Sequence, residues 1–112
     1  MPPRLQLSSQ EATRLPGLLA LHPTTRIPFD ACQSHLHRVL WILDAYGAEP
    51  PSLTPNLCTL LIFEQGLNLA RTTIEAALDE ALAAGAIEQD HDGHTITDDG
   101  RRTLKSLRPG GG

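Results

Sequence analysis

The clearest periodic pattern in the chain lies between Leu67 and Ile87. Apolar residues recur there at the spacing of one helical face. They are Ile74, Ala77, Leu78, Ala81 and Leu82. Gly85 follows at the position where a helix ends with a left-handed residue, a conformation that glycine adopts without steric cost. The pattern predicts a short turn, a helix, a glycine stop and the first residues of a strand.

A longer helix is predicted upstream, from an N-cap at Asp30 to about Tyr46, with Gly47 as its stop. One broad apolar face recurs along it. That face comprises Cys32, Leu36, Val39, Leu40, Leu43 and Tyr46. Trp41 lies on the opposite side, where a large aromatic ring needs cover. Either the N-terminal leucines of the same chain or a second subunit would supply that cover.

The next predicted helix has Thr54 as its cap and Pro55 at its first position, where the missing N–H costs little. The apolar residues between Leu57 and Phe63 point to every side of this helix. A helix that is apolar all round is buried on more than one side. The pattern predicts an extra layer, from the N-terminal arm or from a partner chain, before Gly66 ends the helix.

The N-terminal segment also carries helical signals. Ser8 or Ser9 is predicted to cap a short helix with Glu11 in its first turn. Pro16 and Gly17 are predicted to interrupt it, because proline removes a donor and clashes with the preceding turn. A dense leucine cluster follows, which we expect to pack on the domain or on a second subunit. Its members are Leu15, Leu18, Leu19 and Leu21.

The C-terminal third begins with a hairpin signal. Asp92-Gly93 stands between two short alternating runs, and both residue types tolerate a positive φ. Ile87 and Ile96 are predicted to face the core, and a last helix is predicted from Thr97 or Asp98 onward. The predicted organisation has three parts: an N-terminal arm (1–28), a domain (29–108) and a flexible tail (109–112).

Two segments resemble the winged helix-turn-helix superfamily. The first matches the start, body and end of the helix that reads DNA in that family. It comprises Ala70, Arg71, Thr72, Thr73, Ile74, Ala77, Leu78, Gly85 and Ile87. The second, from Thr95 to Leu104, resembles the passage from the wing through an acidic pair and a glycine into a C-terminal helix. The resemblance covers about residues 54–107. It implies a mainly α fold with a small β-hairpin, an N-terminal arm and a C-terminal helix.

The resemblance also implies a small transcriptional regulator that reads duplex DNA. In this family the first turn of the reading helix enters the major groove. Arg71 is then the predicted contact to guanine, while Thr72 and Thr73 contact bases or phosphates. The alternative is that Arg71 pairs with Glu75 one turn later. The full predicted set is Thr54, Asn56, Arg71, Thr72, Thr73, His91, His94, Arg101 and Arg102.

The charge distribution complicates this prediction. The chain has a net charge of −4, whereas a DNA-binding domain is expected to present a basic face. Residues 54–97 contain one base, Arg71, against seven carboxylates. Modest DNA affinity is therefore expected, since few phosphates would be neutralised. The alternative function is a protein-interaction winged helix, whose acidic face at Glu75, Asp79 and Glu80, or whose apolar surface, serves as an assembly module without DNA.

A homodimer is predicted because several apolar groups lack cover within the predicted domain. These groups are Trp41, the helix that is apolar all round and the N-terminal leucines. The predicted dimer interface comprises Leu15, Leu18, Leu19 and Trp41.

The sequence offers little support for a metal site or an enzyme. Cys32, His35 and His37 are closely spaced, but on one helix His37 points away from His35, and structural zinc needs four ligands. No nucleophile elbow, phosphate loop or metalloprotease motif occurs. No metal, cofactor or catalytic residue is therefore predicted.

The composition bounds the class of protein. Apolar residues make up 40 % of the 112-residue chain, which indicates one globular domain rather than disorder. No apolar run is long enough to span a membrane, and no secretory signal is recognised. Two cysteines are too few for a disulfide scaffold, so reduced thiols in a cytoplasmic protein are expected.

Overall fold

A computed structural model of the chain describes residues 6–20, 27–46, 53–91 and 93–107. Within these ranges the protein is mainly helical, with one two-stranded antiparallel hairpin, as predicted. The elements are α1 (Ser9–Leu19), α2 (His35–Tyr46), α3 (Pro55–Glu64), α4 (Arg71–Ala83), β1 (Ile87–Asp90), β2 (Gly93–Ile96) and α5 (Asp98–Lys105).

Some sequence predictions fall outside the described residues. These are the helix stop at Gly47, Leu21 in the leucine cluster, Asp92 in the hairpin turn and the tail over 109–112.

The helix α4 matches its predicted pattern. Four of the five stripe residues are buried, and Leu82 is half-buried. The helix ends through Gly85, which has a φ of 75°. The next N–H, that of Ala86, donates to the carbonyl of Ala81 at 2.9 Å, which closes the last turn. The predicted glycine stop is confirmed.

The helix α3 is buried on several sides. Its buried residues face in several directions and include Leu57, Cys58, Thr59, Leu61 and Ile62. Three helices cover it, namely α1, α2 and α4. The predicted extra layer therefore comes from the N-terminal arm of the same chain, and Leu18 of that arm is buried in the core.

The helix α1 corrects one prediction. It runs through Pro16 and Gly17 to Leu19 instead of breaking there. Proline leaves the carbonyl of Ala12, four residues earlier, without its usual donor. Ala12 and Pro16 are both exposed, so water can satisfy that carbonyl. A complete capping box, formed by Ser8 with the glutamate three residues later, secures the start of the helix.

The helix α2 begins later than predicted. Asp30 lies in a 3₁₀ turn over Phe29–Ala31, and the α-helix starts at His35. The hydroxyl of Ser34 accepts a hydrogen bond from the backbone N–H of His37 at 3.2 Å, so this serine caps the helix. An N-cap at Asp30 is wrong because a closer serine satisfies the free N–H group.

Trp41 is covered within the chain and is only 4 % exposed. Its indole Nε1–H donates to the carbonyl of Ile27 at 2.6 Å, and Phe29 packs edge-on against the ring at a centroid distance of 5.3 Å. The segment just before α2 therefore provides the cover that was expected from the leucines or from a second subunit. The predicted role of Trp41 in a dimer interface is not supported, because its ring offers almost no surface.

The hairpin pairs Ile87 with Ile96 and Asp90 with Gly93. Leu53 adds a bridge on the other edge of β2 through two backbone hydrogen bonds with His94, at 2.9 and 2.8 Å. The strand β2 therefore lies between β1 and Leu53 and packs on α2. The hairpin is thus attached to α2 and α4 and, through Leu53, to the segment that precedes α3.

The helix α5 is held close to the hairpin by a glycine. Thr97 caps the helix, and its N–H donates to the carbonyl of Ala86 at 3.0 Å. A Cβ atom at Gly100 would lie 2.7 Å from Cγ1 of Ile96 and closer still to the carbonyl oxygen of Ala86. Only glycine allows this approach.

Two glycine substitutions in helices are therefore expected to have opposite effects. Gly100→Ala should destabilise the fold by about 2 kcal/mol or more, because backbone at Ala86 must move. Gly17→Ala in α1 should stabilise it by about 0.5–1 kcal/mol, because nothing lies within 4 Å of its Cβ position. Urea unfolding measures both changes. Equal effects of the two substitutions would contradict the described packing of α5.

Candidate nucleic-acid interface

The amino end of α4 lies beside the amino ends of two other helices. On one side, Nη1 of Arg71 donates to Oδ1 of Asn56, in the first turn of α3, at 3.4 Å. On the other side, Thr72 and Thr73 line an open groove of about 690 Å³ together with residues at the start of α2. Five of the predicted DNA-binding residues therefore come together here: Thr54, Asn56, Arg71, Thr72 and Thr73.

The guanidinium of Arg71 is paired but exposed. Its Nε lies 3.1 Å from Oε1 of Glu75, and the two side chains are 49 % and 45 % exposed. This is the pairing that the sequence left open as an alternative. An exposed pair one turn apart contributes only about 0.3–0.5 kcal/mol, so it does not prevent the guanidinium from binding another anion.

The start of α4 differs from the other described helices. Its N-cap, Ala70, provides no side-chain hydrogen bond. The other α-helices begin with a hydroxyl that accepts from a first-turn N–H. These hydroxyls belong to Ser8, Ser34, Thr54 and Thr97. The first N–H groups of α4 therefore lack the usual side-chain acceptor, and a ligand anion can take that role.

The groove beside α4 contains two basic side chains that were not among the predicted DNA-binding residues. His35 and Arg38 lie in the first turn of α2 and line the groove together with Thr72 and Thr73. Nη1 of Arg38 lies 2.8 Å from Nδ1 of His35. Their spacing of three residues is that of one helical face. Because the helix was predicted to start at Asp30, the sequence did not indicate that these two residues lie in its first turn.

The amino end of α3 is occupied by Glu11 from α1. Oε2 of Glu11 accepts a hydrogen bond from the hydroxyl of Thr54, and Oε1 accepts from Nδ2 of Asn56 at 3.3 Å. The backbone N–H of Ser8 also donates to Oε1, at 2.9 Å. Glu11 is only 8 % exposed. The sequence showed a first-turn glutamate here but no link to a residue 43 positions later.

The surroundings of Glu11 favour its charged form. Burial by itself raises the pKa of this carboxyl group. The hydrogen bonds from Ser8, Thr54 and Asn56 outweigh burial and hold the pKa below its usual value of 4.5. At neutral pH the group is therefore an anion that accepts hydrogen bonds at the start of α3.

Arg101 and Arg102 lie at the opposite end of α4. They line a shallow depression together with Gly85 and Glu88. Since α4 is about 20 Å long, this position is far from Arg71. Arg101 pairs with Asp44 at 3.5 Å and with Asp98 at 3.2 Å, and Arg102 pairs with Asp99. The structure does not bring these arginines together with the first turn of α4.

The two histidines of the hairpin also differ in position. His94 is only 4 % exposed, and its Nδ1 lies 3.4 Å from the carbonyl oxygen of Leu53. This burial does not support the predicted DNA contact of His94, because Leu53 and α2 cover β2. His91 is exposed at the turn, as expected for a residue at the tip of a hairpin.

Of the three acidic residues of α4, Glu75 pairs with Arg71 and the other two lie further along the helix. Asp79 and Glu80 are exposed, about 12–14 Å from Arg71 along the axis. Glu80 borders the groove at its far end. The helix therefore presents Arg71 at its amino end and carboxylates in its second half.

The cysteines show no features of reactive groups. Burial raises the pKa of Cys32 to about 11 and that of Cys58 to about 12, so both thiols are protonated at neutral pH. The Cys32 thiol donates to the carbonyl of His37 at 3.6 Å. Across the residues that the structure describes, no three His, Cys, Asp or Glu side chains are close enough to hold a metal ion.

Comparisons with protein-family models, with curated proteins and with solved structures find no match to this chain. The candidate interface therefore depends on the contacts described above. In the same described ranges, none of the helices is both long and apolar enough to cross a membrane.

The hydrogen bonds of Glu11 predict a pH-dependent stability. Because folding lowers the pKa of Glu11 below 4.5, its contribution is present above that pH and is lost as the pH falls through the folded pKa. Glu11→Gln should cost about 1–3 kcal/mol near neutral pH and much less in acid. Urea unfolding at several pH values measures this difference. An equal cost at every pH would contradict the described contacts, and exposed Glu88→Gln is the control.

Proposed function

We propose that this chain is a winged helix-turn-helix domain that binds duplex DNA with the amino end of α4. The element order supports the proposal. Three packed helices, α2, α3 and α4, precede a hairpin and a further helix, α5. This is the arrangement implied by the resemblance at residues 70–87 and 95–104.

The observation that carries the proposal is the contact between Arg71 and Asn56. It places the first turns of α3 and α4 side by side. In helix-turn-helix proteins the first of two such helices crosses the DNA backbone while the second enters the major groove. The free backbone N–H groups at the amino end of a helix bind phosphate. The guanidinium of Arg71 has two parallel N–H groups, the geometry that recognises guanine.

Local charge supports this function although the whole chain is acidic. Arg71 and Arg38 lie around Thr72 and Thr73. Of the acids of α4, Glu75 pairs with Arg71 and Glu80 borders the far end of the groove, while Asp79 lies about 12 Å along the helix. Two neutralised phosphates, one at Arg71 and one at Arg38, predict a shallow salt dependence, with a slope of log K against log salt of about −2. Binding is then weak and best seen at low salt.

Two arginine variants are expected to weaken DNA binding in different ways. Arg71→Ala should lower the affinity by about 5- to 100-fold, because it removes a base contact. Arg38→Ala should weaken binding to all sequences and reduce the salt slope by about 1, because it removes a phosphate contact. Fluorescence anisotropy with labelled duplexes across a salt series measures both effects. Arg102→Ala is the matched control, since Arg102 lies at the other end of α4 and pairs with Asp99.

Failure to bind any duplex at low salt would contradict the proposal. It would favour the alternative function, a protein-interaction module. The observation in favour of that alternative is that Asp79 and Glu80 are exposed and make no ion pair within the described residues. A basic protein partner bound by these residues would be lost on the substitutions Asp79→Lys and Glu80→Lys.

The homodimer remains a prediction with a narrower basis. Leu19 is 43 % exposed, more than any other large apolar side chain within the described ranges. Leu15 beside it is partly buried, while Leu18 is covered. If α1 pairs with a second copy, sedimentation at micromolar concentration should show a dimer that Leu19→Glu converts to a monomer. A monomer for the unsubstituted chain would reject the dimer.

A further inference from the structure

The carboxylate of Glu11 takes the place that a DNA phosphate would need. It lies at the amino end of the ten-residue helix α3 and accepts hydrogen bonds from Thr54 and Asn56. These are the two α3 residues predicted to contact DNA. The carboxylate belongs to a different helix and lies 43 positions earlier in the chain than Thr54. An anion is therefore already present where the proposed function requires one from the ligand.

The two anions exclude each other. A hydroxyl has one hydrogen to donate, so the Thr54 hydroxyl cannot serve Glu11 and a phosphate oxygen together. A phosphate near the charged carboxylate would also be repelled, because like charges at short distance disfavour each other. The backbone N–H of Leu57 donates to the Thr54 hydroxyl oxygen at 3.3 Å, so the same threonine also caps the helix.

We propose that the contact of Glu11 with Thr54 and Asn56 is autoinhibitory, and that duplex DNA binds after this carboxylate has left the amino end of α3. The inference depends on the proposed function, because it names a contact that regulates the same interface. The free protein would then have a lower apparent affinity than its open form, in proportion to the fraction of molecules that are open.

The attachment of α1 is suited to such an exchange. Glu11 and Leu18 are its two buried residues, and most of the others are exposed. Pro16 removes one hydrogen bond from the middle of the helix, and Gly17 contributes no side chain to its packing. Asn56 also connects the two sides directly, because it donates to Glu11 and accepts from Arg71. Release of Glu11 therefore changes the surroundings of the proposed base-reading side chain.

Glu11→Gln tests the proposal. Glutamine keeps the size of the side chain and supports the capping box of α1, but it removes the charge that competes with phosphate. Affinity for a labelled duplex at low salt should rise about tenfold. Glu88→Gln is the control, because it makes the same change in net charge at an exposed position on β1. It should raise the affinity less than about twofold, as expected for a distant screened charge.

The outcomes separate the inference from the proposed function. If the unsubstituted protein binds DNA and Glu11→Gln gives no more gain than Glu88→Gln, the inference is wrong and the proposed function stands. If none of the three proteins binds any duplex, both are wrong. A gain confined to Glu11→Gln supports both.

Hydrogen exchange of the unsubstituted protein gives a second test that does not depend on a variant. Saturating duplex DNA should increase amide exchange in α1 around Glu11, whose N–H donates to the Ser8 hydroxyl at 3.2 Å. It should not increase exchange in α5, at the other end of the domain. Unchanged exchange in α1 while DNA is bound would show that the Glu11 contact only fastens the arm, and would overturn the inference.

Discussion

The helix α3 sets the constraint on which the rest of the structure depends. Its side chains are apolar in nearly every direction, so no single neighbour can keep them from water. Covering it requires α2 and α4 from the domain and α1 from the N-terminal arm. Each fully buried leucine or isoleucine contributes about 1.5–3 kcal/mol relative to exposure. The arm is therefore part of the fold, and its position follows from the apolar surface that α3 leaves open.

The same constraint determines the polar end of the bundle. Once α1 lies across α3, its capping box is close to the first turn of α3, and Glu11 reaches Thr54 and Asn56. Two helix starts then share one carboxylate, since Glu11 also accepts from Ser8. Packing of apolar residues has thus placed an anion at the start of α3, where Asn56 contacts both Glu11 and Arg71. The packing of α1 on α3 therefore accounts both for the position of the arm and for the contact proposed to regulate DNA binding.

Local signals predicted much of the fold. Gly85, Thr54 and Thr97 end or begin helices as expected, because each satisfies its own turn through its φ angle or its hydroxyl. The predictions based on Asp30 and Pro16 were wrong because neighbouring groups decide the effect of these residues. Ser34 caps α2 in place of Asp30, and water can reach the carbonyl that loses its donor at Pro16. The position of Arg71 was predictable. The contacts of Glu11 with α3 and of Arg38 with the α4 groove were not, since they join residues far apart in sequence.

Net charge is a poor guide to the candidate interface because several of the charges are paired with one another away from it. Arg101 and Arg102 contribute to the basic count, yet Asp44, Asp98 and Asp99 accompany them at the wrong end of α4. The carboxylates of the second half of α4 lie beyond one Debye length from Arg71, about 8–10 Å in ordinary buffers. The field at the first turn of α4 therefore depends on Arg71 with its partner Glu75, on Arg38 and on the carboxylate at the start of α3. The carboxylate of Glu11 would repel a phosphate, and it belongs to α1, in which Glu11 and Leu18 are buried and Leu15 packs partly against the core.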